Sequence, residues 1–409
     1  MKHKLLYILV LASALMGCRP KGDVYFDPND PINLQYTTYA SQFDAIWRSM
    51  NTHYVFWSED KTDWDAVYKE MLPRFEALDK QYEADGSTPD SLTLVGLYAQ
   101  VTSSLIDHHM KIYVTDVHTG TECIYRPGYE EVMQRDYVAG QDYSVNAMKE
   151  AINGFLANGT LDSGTWGKMG DSQNFFGTRA VEDKKIAYLW QSSYQMVEAL
   201  RKEGETDEEK QYIQNIRSWL DMCLTDPNLL GIILDNRCNK GGNVEDLKIV
   251  IGSFISERIH YADLRYKEGP GRYEYTNWIP AYVELNQDVA NRRDLAKENI
   301  PYVVLANAFS ISMAETSSQI IKTLPTGCMI GERTYGAHGQ STSYSTLFYD
   351  GAFGDVNGMH FIYTSSLQTR FKGEGLLEGE GITPDKSILQ LESGYLGAME
   401  KAVNYIKAY

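Results

Sequence analysis

The chain has 409 residues, with 38 Lys and Arg against 55 Asp and Glu and a formal net charge of −17. So acidic a balance, with no basic cluster along the sequence, argues against nucleic acid as the partner. A hydrophobic content of 43% is that of an ordinary globular protein, and the length is enough for two domains.

At the N-terminus, Lys2 and Lys4 precede an apolar run from Leu5 to Leu15 that is too short to span a bilayer. Residues 1–18 therefore read as an export signal. The run ends in Leu15-Met16-Gly17-Cys18, which resembles the bacterial lipobox. That resemblance implies a diacylated Cys18 and a chain anchored by lipid in the cell envelope, with no spanning helix. An ordinary signal peptide with a chance cysteine is the plain alternative. Residues 19–34, with Pro20, Pro28 and Pro31, read as a tether. Cys123, Cys223, Cys238 and Cys328 have no metal-ligand spacing and are expected to be mostly free, buried thiols.

Residues 35–111 predict a helical domain. Phe43, Ile46, Trp47 and Met50 recur at helical spacing, as do Trp64, Val67, Tyr68 and Met71, with Asp63 as a cap. Leu92–Leu105 continues the pattern and ends at Asp107-His108-His109. Residues 112–182 are expected to be a linking or insert region with one helix, Val145–Leu156. From 183 to 409, strand and helix patterns alternate. Ile186–Trp190, Leu229–Leu234 and Tyr302–Leu305 read as buried strands, with further strands near Met329, at 342–349 and at 360–365. Glu208–Cys223, Val244–Ile255 and Ser312–Lys322 read as helices. The pattern implies an α/β fold with a mostly buried sheet.

Three segments could carry chemistry. Asp235-Asn236-Arg237-Cys238-Asn239-Lys240-Gly241-Gly242 follows a buried strand. Its glycines permit a tight turn with exposed amides able to hold an oxyanion, and Asp235 and Arg237 are placed to brace the turn, although a structural Gly-rich turn reads equally well. Ser312 stands between a strand and a helix, where a nucleophile would feel the positive end of the helix dipole. Ser312 with Glu315 also fits a capping box, and from the residues alone capping is the better reading. His108 and His109 are candidate bases.

The order of these segments resembles the C-terminal processing peptidases, also called tail-specific proteases. Asp235 to Gly242, including Asn239, matches that family's Asp-x-Arg-x-Asn-x-Gly-Gly signature. Ser312-Met313-Ala314-Glu315 is similar to its nucleophile segment, Gly331 to Gly336 to the strand and loop that follow, and Gly381-Ile382-Thr383-Pro384-Asp385 to its closing motif. The resemblance implies a crotonase-like α/β catalytic domain behind a helical bundle, a serine peptidase acting on peptides or unfolded proteins, and no cofactor or metal. Many members place a lysine base where this chain has Ala337, followed by His338. A tricorn-like branch instead uses a histidine from the end of the helical region and a glutamate before the closing motif. On that pattern the resemblance implies Ser312 as nucleophile, His109 as general base and Glu378 as the acid orienting it. It also implies an oxyanion hole from an amide near Gly241 or Gly242 and that of Met313.

His338 and His108 stay open as alternative bases, and Glu380 competes with Glu378. Ser310 lies too early relative to Glu315. Ser317 and Ser318 read as packing or surface positions, and Lys111 and Lys372 as solvated. No carboxylate-binding loop of a PDZ module is found in 112–182. A peptide-binding or scaffold lipoprotein without turnover is the other functional reading, since fold alone does not establish function.

Overall fold

The computed structural model describes residues 37–202, 204–340, 353–354 and 361–409. The expected export signal, Cys18, the tether and the strand expected at 342–349 lie outside the described residues.

Helices α1 (Tyr39–His53), α2 (Trp64–Asp85) and α3 (Ser91–Thr102) open the described chain. Each begins where a side chain takes an orphan backbone N–H: Thr38 from Ser41, Asp63 from Ala66, Asp90 from Thr93. Phe43, Met50, Trp64, Phe75 and Tyr98 close one core, which also takes Ile112 and Val114 of strand β1 (Lys111–Thr115). Strand β2 (Glu122–Tyr125) pairs antiparallel with β1.

After β2 come α4 (Pro127–Met133), α5 (Val145–Ala157), β3 (Ser163–Met169), β4 (Ser172–Val181) and β5 (Lys184–Gln191). β3 pairs with β4, and β4 with β5, both antiparallel. The main sheet therefore begins at Ser163, not at the boundary expected at 183. Glycine hid the strand pattern, and packing is why it is there: a Cβ on Gly164 would lie 2.1 Å from the Phe175 ring.

The chain continues through α6 (Met196–Lys202), α7 (Asp207–Thr225), β6 (Leu229–Asp235), α8 (Leu247–Val250), β7 (Ile259–Tyr266), β8 (Ile279–Val283), β9 (Tyr302–Ala306), α9 (Met313–Thr323) and β10 (Gly327–Gly331). It ends with β11 (Phe353–Gly354), β12 (Phe361–Tyr363), β13 (Leu367–Phe371), β14 (Gly375–Leu376), β15 (Lys386–Ser387) and α10 (Gln390–Ala408). The main sheet runs β15-β10-β9-β6-β5-β4-β3, parallel from β15 to β5. Both faces are buried, so alternate residues enter different cores. Ile232, Leu234, Tyr302 and Val304 face α6, α7 and α9. Ile233, Val303 and Leu305 face α5 and α10. Two smaller sheets, β11-β12-β1-β2 and β14-β13-β7-β8, flank it. The first ties the helical region to a segment far along the chain.

The helix expected over 244–255 is cut short. Val244–Asp246 form a 3₁₀ turn and α8 ends at Val250. A Cβ on Gly252 would meet the Glu284 carbonyl at 2.1 Å, so the chain turns there to pass close to its neighbour. Leu247, Ile251, Phe254 and Ile255 still reach the core, which is why the periodicity looked helical.

Candidate active site

Two loops at the C-terminal ends of adjacent parallel strands meet here, the usual place for a site in such a sheet. The first follows β6. Arg237 Nε and Nη2 grip the two Asp235 oxygens at 2.9 and 2.5 Å, both groups fully buried, so the expected brace is present. Removing one partner of such a buried pair costs about 3–5 kcal/mol, because the other charge is stranded. Asn236 reaches the second loop. Its Nδ2 donates to the Ala314 carbonyl and to Ser317 and Ser318 Oγ, and its Oδ1 accepts from Tyr194 Oη. Asn239 Oδ1 accepts from Gly241 N–H at 2.8 Å, while its carbonyl accepts from Ile311 N–H at 2.9 Å.

The second loop joins β9 to α9 and carries Ser312. Its backbone stands at φ 60°, ψ −117°, not the extended geometry an N-cap serine takes. Only four non-glycine residues among those described have positive φ, and Cys238 of the first loop is another. Such strain costs about 1–3 kcal/mol and persists only where the surroundings impose it. Here Glu315 imposes it. Its buried carboxylate accepts from the N–H groups of Ser312, Gly336 and Ala337 and from Thr334 Oγ1, at 2.6–3.0 Å. Glu315 therefore supplies one half of the expected capping box and also docks the 334–337 segment.

Gly241 must be glycine. It has φ +85°, and a Cβ there would sit 2.6 Å from Ser312 Cβ and 3.0 Å from Met313 N. Gly241 N–H is spent on Asn239, whereas Gly242 is exposed. The N–H groups of Gly242 and Met313 carry no hydrogen bond among the described residues.

The histidines separate cleanly. His108 is buried, with Nδ1 3.1 Å from the Tyr335 carbonyl and Nε2 3.0 Å from Glu131 Oε2, so both ring nitrogens are occupied. His338 is buried against Phe371. Its Nε2 lies 3.5 Å from Glu315 Oε1 without hydrogen-bond geometry, and burial lowers its pKa. His109 is only partly covered, and its Nδ1 is buried without a partner. Burial pushes the His109 imidazole down to about 4, opposed by the charge of Glu315. Its ring is thus neutral at pH 7.

Glu378 is buried and Glu380 exposed, which separates two glutamates that the sequence could not. Glu378 accepts from the N–H groups of His108 at 3.1 Å, His338 at 2.8 Å and Gly339 at 2.6 Å. Burial raises its pKa well above the usual carboxylate range, and Asp107 adds to the rise.

Asp107 was read in the sequence only as part of the segment that carries His109, with no role of its own. One ligand atom each from Asp107, His109 and Glu378 lies within 4.8 Å of the other two. The trio has a donor set a cation could use. The Asp107 oxygens, however, already accept from His109 N–H, Ser365 N–H, Ser365 Oγ and Thr364 Oγ1 at 2.7–2.9 Å. Two carboxyl groups, each hydrogen-bonded to its own surroundings, thus lie close to one imidazole. Arg135, also unforeseen, donates to the Thr334 and Tyr335 carbonyls and fixes the loop against His108.

Other expectations resolve simply. Ser310 is buried, accepting from Asn307 N–H and donating to the Asn236 carbonyl. Ser317 and Ser318 are buried in packing roles. Cys223, Cys238 and Cys328 are buried free thiols, and Cys123 is free and half-covered. Lys372 is exposed, but Lys111 is half-buried, not solvated.

The family model for peptidase family S41 matches residues 185–388. A Parabacteroides merdae ATCC 43184 protein that carries the name of a peptidase has a similar structure, at 20% identity and TM-score 0.59, over 91% of this chain and 97% of that one. Mature CPAF complexed with lactacystin is similar at 11% identity and TM-score 0.57, over 91% of this chain and 99% of that one. No curated protein matches. The two structural likenesses agree in fold, and the family match falls on the loops just described: the chain belongs to peptidase family S41, the C-terminal processing peptidases, and is a serine-type peptidase.

Proposed function

We propose that Ser312 is the nucleophile, His109 the general base and Glu378 the group that orients the base. The observation that carries this reading is the forced backbone at Ser312, pressed against the bare Cα of Gly241 at the start of α9. A serine that merely capped a helix would need neither. On this reading Ser312 Oγ attacks the scissile carbonyl and passes its proton to the neutral His109 ring. The tetrahedral oxyanion takes hydrogen bonds from Gly242 and Met313 N–H, and the positive end of α9 stabilises it further. His109 then returns the proton to the leaving amine, and water releases the acyl group by the same steps in reverse order. The Asp107 and Glu378 carboxyl groups lie within 4.8 Å of the ring and would orient it and stabilise the imidazolium as it forms.

The proposed substrates are peptides or unfolded proteins in the cell envelope, reached by a chain tethered through a lipidated Cys18. Intact-mass analysis of membrane-extracted protein tests the anchor: a Cys18→Ser chain recovered with the same lipid mass would contradict it.

Ser312→Ala should lower casein and peptide hydrolysis by a factor of at least about 10³ with an unchanged melting temperature. His109→Gln should do nearly the same, and Glu378→Gln less, about 10–100-fold. Activity in Ser312→Ala equal to that of the unaltered chain would sink the assignment, and full activity in His109→Gln would move the base elsewhere.

A further inference from the structure

A cavity of about 410 Å³ opens between α6, α7, α8 and residues 286–291, and no residue of the proposed catalytic set lines it. That volume suits a small-molecule ligand. Its floor is aliphatic: Val197 and Leu200 of α6, Leu220 and Leu224 of α7, Ile249 of α8, and Val289. Its rim is charged and carries both signs. Arg217 and Asp221 stand one turn apart on the exposed side of α7, and neither side chain has an ion pair or hydrogen bond among the described residues. On another wall, Lys248 and Asp288 face each other loosely, 3.7 Å apart. A ligand with a single charge would set it beside a like charge on either wall. A molecule with one acidic and one basic end is met at both. Four residues of helix rise about 6 Å, which sets the spacing of Arg217 and Asp221, and a two-residue peptide spans about 7 Å.

One wall of the cavity is tied to the turn that carries Gly242. The buried Asp246 carboxylate accepts from the Met196 and Val197 N–H groups, both at 2.7 Å, and so fixes the start of α6. Just before α6, Tyr194 N–H donates to the Gly241 carbonyl at 2.8 Å, and the Tyr194 carbonyl accepts from Asn243 N–H at 2.9 Å. These two bonds bracket Gly242. A Cβ on Gly242 would lie 2.3 Å from the Tyr194 carbonyl oxygen, so a shift of α6 is passed to the Gly242 N–H through a contact with no slack.

We propose that this cavity binds a short apolar peptide with both termini free, the kind of product that peptide hydrolysis releases, and that the bound peptide holds α6, and with it Gly242, in the arrangement that receives the oxyanion. The apolar side chains pack on the floor, and the two termini take Arg217 and Asp221. A ligand that prefers the packed position of α6 shifts the population toward it, so turnover rises. The effect on turnover rests on the roles proposed for Gly242 and Ser312, but the binding does not.

The test titrates the full chain carrying Ser312→Ala, by calorimetry, with three probes: leucylleucine, its N-acetyl amide, which keeps the side chains and loses both charges, and decanoate, which has only an acidic end. Leucylleucine should bind about tenfold tighter than either of the others, the factor that charge-assisted hydrogen bonds at the termini supply. Arg217→Gln should bring that ratio to within about twofold. Val289→Trp, which fills the cavity, should abolish binding without lowering the melting temperature. With Ser312 intact, leucylleucine should raise kcat for a longer peptide substrate about twofold or more, and Val289→Trp should remove the rise. Equal affinity for leucylleucine and the blocked peptide, tighter binding of decanoate, or an affinity that survives Val289→Trp would overturn the site. Binding with an unchanged kcat would overturn the coupling. A Ser312→Ala chain that still cleaves would remove the catalytic reading alone, and the affinity ratio would still decide the cavity.

Discussion

His109 works, on the proposed reading, because it is neutral before substrate arrives. An ordinary imidazole titrates near 6.5, and burial holds this one down to about 4. Below that value the ring is protonated and cannot take the serine proton. The acid limb of kcat/KM should therefore lie near pH 4, and a limb near 6.5 would show another group controlling the rate. Far-ultraviolet circular dichroism over the same range separates titration from unfolding. The sign for stability follows. Between about 4 and 6.5 the unfolded histidine holds a proton that the folded one does not, so this residue favours folding more as pH rises through that window. At this scale the sequence was informative for Ser312 and Asp235, which sit in dense local motifs. The residues alone did not rank His108 against His109 or Glu378 against Glu380; only the family resemblance favoured His109 and Glu378. Those pairs differ only in which neighbour is buried and which nitrogen is engaged, and such facts arise from contacts with Tyr335, Glu131 and Gly339.

At the scale of elements, strands β6 and β9 were legible because both faces are buried and their apolar runs are unbroken. Strands β7, β8 and β13 were not foreseen: β7 and β13 mix His, Asp, Arg, Gln and Thr with apolar residues, and β8 is a five-residue stretch that contains Pro280. What locks β6 to α9 is Asn236, whose side chain satisfies one backbone carbonyl and two buried hydroxyls of the helix. Asn236→Ala leaves those groups and Tyr194 without their partner. It should lower unfolding stability by about 2–3 kcal/mol in urea titrations and lower kcat as well, because the same contacts set where Ser312 stands. A stability loss without any change in kcat would mean that α9 keeps its place unaided.

Across the whole molecule, the proposed site draws on both ends of the fold. Glu378 accepts from His108, 270 residues earlier in the chain, and β12 pairs with β1 of the helical region. The helical region and the main sheet should then lose structure together. In urea, the fluorescence of the buried tryptophans in the two regions, Trp57 and Trp64 in one and Trp190 and Trp219 in the other, should report one midpoint that coincides with loss of activity. An early transition confined to the helical region, with peptide hydrolysis intact, would contradict this. A two-domain division was visible in the sequence as a change of periodicity. The bond between the parts was not, because it is made by an isolated glutamate and a three-residue strand that no periodic pattern marks.

The distance along the chain between His109 and Glu378 also sets a timetable. A polypeptide emerging end first places His109 early but cannot supply Glu378 until all but the final stretch has appeared. Until then the imidazole has Asp107 beside it but not Glu378, and the N–H groups of His338 and Gly339 lack their acceptor. On the proposed roles of His109 and Glu378, a hydrolase made among unfolded chains would stay idle until this late part of its fold closes.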